Sequence, residues 1–250
     1  MTWLVPFLPD GLAAGAAALL LGASFAGSFI TVAFGIGGGA FLLAIMATLV
    51  PPAALIPTHG VIQIGSNLGR AVVTLRHVVW TMFPAFVAGS ILGAGAGGMI
   101  AVSLPPAAVQ LGVGLFIVWS VLGRPPKGVR DWPFTVGAVS SFLTMFFGAT
   151  GPFVATFVRS HHLPRHGHVA THAGLMVVQH GVKTAAFGLL GFAFADWAWL
   201  VAAMIAAGFL GTLAGGQVLN RMSDARFRRA LDVVLLLLAA RLIWGGVRGL

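Results

Sequence analysis

The sequence predicts an all-α polytopic membrane protein built from two homologous repeats of helices. Hydrophobic residues make up 58% of the 250 residues and charged residues only 8%, with a mean hydropathy of +1.00. A soluble domain of this length needs a more polar surface than such a composition supplies. In addition, a shift of 113 residues superposes one half of the chain on the other without a gap, which indicates an internal duplication.

The duplication rests on identities that share a single register. Nine of the 32 positions from Ser28 to His59 are identical to the positions 113 residues later. The matched pairs are Ser28 with Ser141, Phe29 with Phe142, Thr31 with Thr144, Phe34 with Phe147, Gly35 with Gly148, Gly38 with Gly151, Pro51 with Pro164, Thr58 with Thr171 and His59 with His172. Further along, Asn67 is matched by His180, and the basic residue Arg70 is matched by Lys183.

Apolar segments of helical length recur along the chain, separated by glycine and proline clusters that end helices. We predict helices over residues 11–34, 40–50, 53–75, 79–101 and 105–122, and again over residues 133–147, 152–160, 167–192, 197–218 and 228–246. The segments 40–50 and 152–160 would reach only ~16 Å, about half of a ~30 Å hydrocarbon layer. They could span the membrane or form re-entrant hairpins, which gives roughly 8–10 membrane segments.

The placement of basic residues predicts the orientation of the repeats. Lys and Arg collect in alternate connections, whereas the intervening connections carry little beyond Asp196. Because positively charged loops stay in the cytoplasm, we predict a first repeat over 1–122, a cytoplasmic linker over 123–132 and a second repeat over 133–250. Five segments per repeat is an odd number, so the second repeat would be inverted, with both termini outside. We expect a multi-pass protein of the cell inner (plasma) membrane.

The charge pattern favours a small anion as the bound partner. The formal net charge of +9 does not indicate nucleic acid, because the cationic residues sit mostly in short loops between apolar segments. Cys and Glu are absent, and no Asp falls in the repeated cores 28–75 and 141–188. A Na⁺ or metal site at depth would need negatively charged oxygen ligands. We therefore predict neither a metal nor a cofactor.

Two breaks in the helical pattern form the first candidate site. Glycine at four of five positions disfavours continuous helix, and irregular backbone inside a membrane survives only where protein or water satisfies it. The N–H groups at the start of a half-helix bind anions. The alternative is close helix packing through small residues. The candidate substrate-binding residues of the two breaks are Gly35, Gly37, Gly38 and Gly39, and Gly148, Thr150 and Gly151.

The helix after each break carries polar residues at three- and four-residue steps, which place them on one face. Such side chains in an apolar segment are expensive unless they meet a partner or a cavity. We interpret them as the lining of a cavity; interhelical hydrogen bonds for the histidines and snorkelling for the two basic residues are the alternatives. The candidates are His59, Gln63, Asn67 and Arg70, and His172, Gln179, His180 and Lys183.

A histidine run between the second break and its helix raises a metal-binding alternative. His168 and His172 have the i,i+4 spacing that can chelate an ion on a helix. No acid or Cys completes that set, and Arg159 and Arg165 would repel a cation. The metal alternative therefore ranks below the cavity.

Several motifs along the chain match one known family. They are Phe34-Gly-Ile-Gly-Gly-Gly39, Pro51-Pro52, Thr58, Arg76-His77-Val78-Val79-Trp80, Phe147-Gly148, Ala170-Thr171, His180, Lys183 and Phe187-Gly188. Through them the chain resembles the TauE/SafE family of membrane proteins, the sulfite exporter group also called TSUP, over approximately residues 11–246. The second break departs from the glycine-rich form, because it reads Gly148-Ala-Thr-Gly-Pro152. The resemblance implies secondary transport of a small sulfur-containing or organic anion.

Together these observations predict a non-enzymatic secondary transporter, an exporter of a sulfur oxyanion or organosulfonate such as sulfite, thiosulfate or sulfoacetate. Alternating access would come from rocking of the repeats, and histidine protonation could couple transport to protons. A passive anion channel and a histidine-dependent metal-binding membrane enzyme remain as alternatives. The expected partners are the anion, the lipid bilayer and protons, with the protein a monomer or homodimer. The sequence leaves the particular anion, the direction and the coupling stoichiometry open.

Overall fold

The computed structural model describes residues 8–9, 12–34, 37–101, 104–123, 132–218 and 224–249. Within these residues every long element is an α-helix and no strand occurs. The helices are α1 (Ala14–Phe34), α2 (Gly38–Leu49), α3 (Pro52–Val73), α4 (Phe83–Ala101), α5 (Pro106–Leu122), α6 (Pro133–Phe147), α7 (Gly151–Ser160), α8 (Arg165–Leu189), α9 (Ala198–Val218) and α10 (Asp224–Gly249). The predicted all-α fold is confirmed.

Helix boundaries repeat at the interval that the sequence identities show. Helices α1 and α6 end at Phe34 and Phe147, and α2 and α7 begin at Gly38 and Gly151, in both cases 113 residues apart. The two segments predicted to be short are the short helices α2 and α7, with 12 and 10 residues. The predicted linker lies almost wholly outside the described residues, since 124–131 are not described.

Several helices have the length and composition of membrane spans. The stretches Ala14–Ala33, Trp80–Ala101 and Phe194–Gln217 are long and apolar enough to cross a membrane, and three shorter apolar helices accompany them. Large apolar side chains such as Leu189 and Leu213 are exposed, as expected where a surface faces lipid. The chain is therefore an integral membrane protein.

The tightest helix contacts join the two halves of the chain. Helix α4 packs on α6, and α1 packs on α9. Glycine allows this approach, because a methyl group added at Gly89 would collide with the backbone of Phe134, and one added at Gly211 would collide with the backbone of Phe25. The exchange of halves that matches α1 with α6 and α4 with α9 converts one of these interfaces into the other.

The helix pairs that cross between the halves have defined directions. Along α1 and α9, Phe25 contacts Gly211 and Phe29 contacts Gly215, so these helices run parallel. Along α4 and α6, Gly89 contacts Phe134 and Gly97 contacts Phe142, so these helices also run parallel.

The equivalent helices α3 and α8, in contrast, run antiparallel. Gly60 of α3 lies against Lys183 of α8, whereas His77, just beyond the end of α3, lies beside His166 near the start of α8, with ring centroids 5.2 Å apart. Helices α5 and α10 are antiparallel as well, because Gly114 contacts Ile243 while Ala107 contacts Gly249. The antiparallel pair α3 and α8 forms the seam on which both breaks converge.

Candidate functional site

Each break reverses the chain between a long helix and a short one. Gly37 has a φ of 102° directly before α2, and Gly148 has a φ of 73° directly after α6. Both values lie in the left-handed region that residues with a side chain rarely adopt, which explains a glycine at each position. The sequence-predicted residue Gly35 lies outside the described residues.

The first break is packed tightly against its own repeat. A methyl group added at Gly38 would collide with the carbonyl oxygen of Gly27 and the hydroxyl of Thr31 in α1. The carbonyl oxygen of Gly39 accepts a hydrogen bond from His59 Nε2 at 3.1 Å, and the amide nitrogen of Gln63 lies against Gly39. Packing therefore explains much of the glycine content of this break, as the alternative interpretation holds.

The second break is held by side chains of α8. His172 Nε2 donates to the carbonyl oxygen of Gly151 at 3.2 Å, which nearly reproduces the bond of His59 in the first repeat. Gln179 Nε2 donates to Thr150 Oγ1 at 2.8 Å. Both histidines thus make the interhelical bond considered as an alternative, while each keeps a second ring nitrogen.

Between the two breaks lies a buried group of polar side chains, here called the central cluster: His59, Gln179, His180, Lys183 and Thr184. The rings of His59 and His180 meet edge to face with centroids 6.0 Å apart. Lys183 is fully buried and lies over Gly60, where an added methyl group would be 2.8 Å from Lys183 Cε and 3.0 Å from Thr184 Oγ1.

The central cluster presents polar atoms that no described residue satisfies. They are His59 Nδ1, Gln179 Oε1, His180 Nδ1, Lys183 Nζ and Thr184 Oγ1. Nearly all buried polar groups in proteins have a hydrogen-bond partner, so this concentration in one place is a feature of a binding site. Most of these groups can donate, and one carries a formal positive charge, which suits an acceptor with negative charge.

Arg70, the counterpart of Lys183, has a different environment. Its Nη2 donates to Asn67 Oδ1 at 2.7 Å, and Asn67 Nδ2 in turn donates to the carbonyl oxygen of Gln63 at 2.7 Å. These three side chains form a chain of bonds along α3. Only Arg70 Nε stays without a partner among the described residues.

Within the described part of the chain, no carboxylate neutralises the central cluster. The described Asp side chains, Asp196 and Asp232, are both exposed. The described residues also contain no group of three or more His, Cys, Asp or Glu placed to hold a metal ion. His168 and His172 stack with centroids 6.4 Å apart, and His161 and His162 are exposed, so no described geometry supports the metal alternative.

Two members of the neighbourhood were not among the sequence-predicted site residues: Gly60 and Thr184. Each directly follows a predicted residue, His59 or Lys183, and each faces the seam between α3 and α8. The absence of a side chain at Gly60 is what leaves room for the lysine stem. The identity pattern gives no signal for either residue, because Gly60 matches Ala173 and Thr184 matches Ala71.

An apolar cavity of about 250 Å³ lies next to this seam. Its walls come from the start of α3, the end of α8 and neighbouring ends of α4, α5 and α6. Ile56, Pro57 and Phe187 line it from the two seam helices. The central cluster does not line the cavity, and its nearest members lie about one helical turn away along α3 and α8.

Comparison with protein families places the chain. The family described as Sulfite exporter TauE/SafE matches residues 19–242, which is most of the chain. The chain belongs to the TauE/SafE family. Membership in TauE/SafE implies a membrane exporter of sulfite or a related anion. No curated protein and no solved structure matches the chain significantly.

Proposed function

We propose that the protein is a secondary transporter that exports a small anion across the inner membrane by alternating access, and that the central cluster binds the anion. The observation that carries the proposal is the fully buried Lys183, whose ammonium group has no partner among the described residues. A charge buried in a membrane protein without a partner is expensive and is typical of a substrate pathway. An anion would supply both the missing acceptor and the counter-charge.

The surrounding groups support an oxyanion as substrate. His180 and Thr184 flank Lys183 and carry atoms without described partners, so several donors can converge on one multi-oxygen group. Charge-assisted hydrogen bonds contribute about 1.5–3 kcal/mol each. With the chain in the TauE/SafE family, a sulfur oxyanion or an organosulfonate fits this donor set. Neutral ring nitrogens of His59 and His180 are the groups through which proton coupling would act.

Helix directions support the inverted arrangement of the two repeats, residues 1–122 and 133–250. Equivalent helices of inverted repeats run antiparallel, and α3 with α8 and α5 with α10 do so. The same directions bring the connection after α3, with Arg76, to the end of the seam where α8 begins just after Arg159. This end would be cytoplasmic, and both termini would lie outside.

The proposal is tested with purified protein in proteoliposomes. Efflux of radiolabelled sulfite, thiosulfate and sulfoacetate is followed with and without a proton gradient, and each anion is also tested for thermal stabilisation. A saturating anion at about 100 times its Kd should add ~2.7 kcal/mol of stability. Saturable, gradient-dependent efflux with counterflow supports a transporter, whereas flux that rises linearly with concentration would support the passive channel. Absence of binding and of flux for every anion would contradict the proposal.

A further inference from the structure

We infer that the protein recognises an anion with an apolar body, such as a short alkanesulfonate, in preference to a purely inorganic oxyanion, with the head group on Lys183 and the body in the apolar cavity. The inference rests on the proposed function, because it takes Lys183 as the anion-binding group. It names the substrate class that the neighbouring cavity selects.

The seam helices connect the cavity to the central cluster. On α3, Ile56 lines the cavity and Gly60, which lies under the Lys183 side chain, follows four residues later. On α8, Phe187 lines the cavity and lies four residues after Lys183. Four residues are about one turn, roughly 6 Å along a helix, and residues so spaced share a face. Two antiparallel helices thus place the cavity wall about one turn from the ammonium group.

The chemistry of the cavity separates it from the head-group site. Its lining consists of Pro, Ala, Ile, Leu, Val, Met, Phe and Gly residues, without a charged side chain. Ligand sites commonly combine such an apolar wall with a few polar groups that fix orientation. A three-oxygen inorganic anion would use only the polar groups, and a cavity of about 250 Å³ has room for several carbon atoms. An organic body is therefore the occupant that joins the two parts.

The test measures Kd by isothermal titration calorimetry for the protein in lipid nanodiscs. The probes are sulfite, methanesulfonate, ethanesulfonate, propane-1-sulfonate and butane-1-sulfonate, with butan-1-ol as a neutral control. Burial of a methylene group corresponds to about 0.8 kcal/mol, or about a fourfold fall in Kd for each added methylene. The expected result is a Kd for butane-1-sulfonate about 60-fold below that for methanesulfonate.

Two variants locate the effect. Ala53→Phe fills the cavity from an exposed position in its wall and should flatten the chain-length series while leaving methanesulfonate binding within about twofold. Ala202→Phe adds the same side chain at an exposed position of α9 outside the cavity lining and should retain the series. A series that persists unchanged in Ala53→Phe would overturn the inference.

The outcomes separate the two levels of the argument. Equal Kd values for sulfite and all four sulfonates would overturn the apolar-body inference and leave the proposed anion site standing. Binding of butan-1-ol as tight as that of butane-1-sulfonate would also overturn it, because the cavity would then bind without the head group. Absence of binding by sulfite and every sulfonate would contradict the proposed function itself.

Discussion

The two halves of the molecule differ most where the duplication places a basic residue in each. Arg70 donates to Asn67 at 2.7 Å and belongs to a chain of bonds along its own helix. Lys183, the residue 113 positions later, is fully buried with an ammonium group that no described residue accepts. At position 67 the first half has an amide that can accept from Arg70, whereas the second half has His180. The repeats share a backbone plan but only the second presents an unpaired cation.

The two breaks differ in the same sense. Gly38 is pressed against α1, where an added methyl group would collide with Gly27 and Thr31. At Gly151 the nearest neighbour of such a methyl group would be Met176 Cε at 3.8 Å, an ordinary contact. The first break is a packing element, and the second has more space beside the central cluster. Duplication thus produces one half that holds and one half that binds.

The strongest way to break this comparison is to remove the unpaired charge. Lys183→Met should raise the Kd for the bound sulfur anion roughly 30- to 150-fold, because a charge-assisted hydrogen bond of about 2–3 kcal/mol is lost. Stability without anion should not fall, since an apolar side chain of similar volume replaces a buried charge. Calorimetric titration and thermal unfolding measure the two effects.

A matched control for this substitution is Arg241→Met, at an exposed position of α10. It removes the same formal charge and should leave the anion Kd within about twofold, because exposed charges interact weakly through solvent. Equal losses of affinity in the two variants would show that net charge, and not the position of Lys183, governs binding.

The glycines of the two breaks give the next largest contrast. Gly38→Ala should lower the free energy of unfolding by about 1–3 kcal/mol, because the added methyl group overpacks the interface with α1. Gly151→Ala should change it by less than about 0.5 kcal/mol, or raise it, because space is present and helix propensity improves. Unfolding titrations in mixed micelles measure both, and similar losses would contradict the difference between the breaks.

The pair Asn67 and Arg70 tests the structural role assigned to the first basic residue. Asn67→Ala and Arg70→Met should each lower stability by about 1–2 kcal/mol, and the double variant should show a coupling of at least about 0.5 kcal/mol. The anion Kd should change less than about tenfold in either. A loss in Arg70→Met as large as that in Lys183→Met would show that both halves bind the anion directly.

The smallest contrast is expected at the two histidines that hold the breaks. His59 and His172 donate to backbone carbonyls at 3.1 and 3.2 Å, so loss of either bond should lower stability by about 1 kcal/mol. His59→Phe and His172→Phe keep ring volume and isolate that bond. Unfolding measurements that differ by more than about 1 kcal/mol between the variants would show that the two bonds are not equivalent.

The sequence predicted the fold closely because its signals are local. Glycine clusters and prolines end helices wherever they occur, so the starts of α2, α3 and α7 fall within about two residues of the predicted positions. The identities at a fixed interval also predicted the helix ends at Phe34 and Phe147, since equal residues in equal order end helices alike.

The site was predicted only in part, because its chemistry depends on which atoms meet across the seam. Helical spacing placed His59 and Lys183 on faces that do converge, but the same spacing placed Arg70 there as well. Whether a basic group has a partner depends on a neighbour such as Asn67, and no periodicity reports that. The cavity was not predicted, since its walls come from five helices distant in sequence.

The glycine-lined interfaces between α4 and α6 and between α1 and α9 determine which parts of the protein can move as rigid bodies. Backbone lies against backbone at Gly89 and Gly211, and both contacts join one repeat to the other. A rocking motion with each repeat as one body would have to pull both interfaces apart. The natural moving bodies are instead two mixed pairs, each holding one helix from either half, which pivot about the seam of α3 and α8. A cross-link within α4 and α6 should then leave turnover intact, whereas one that joins α3 to α8 should arrest it.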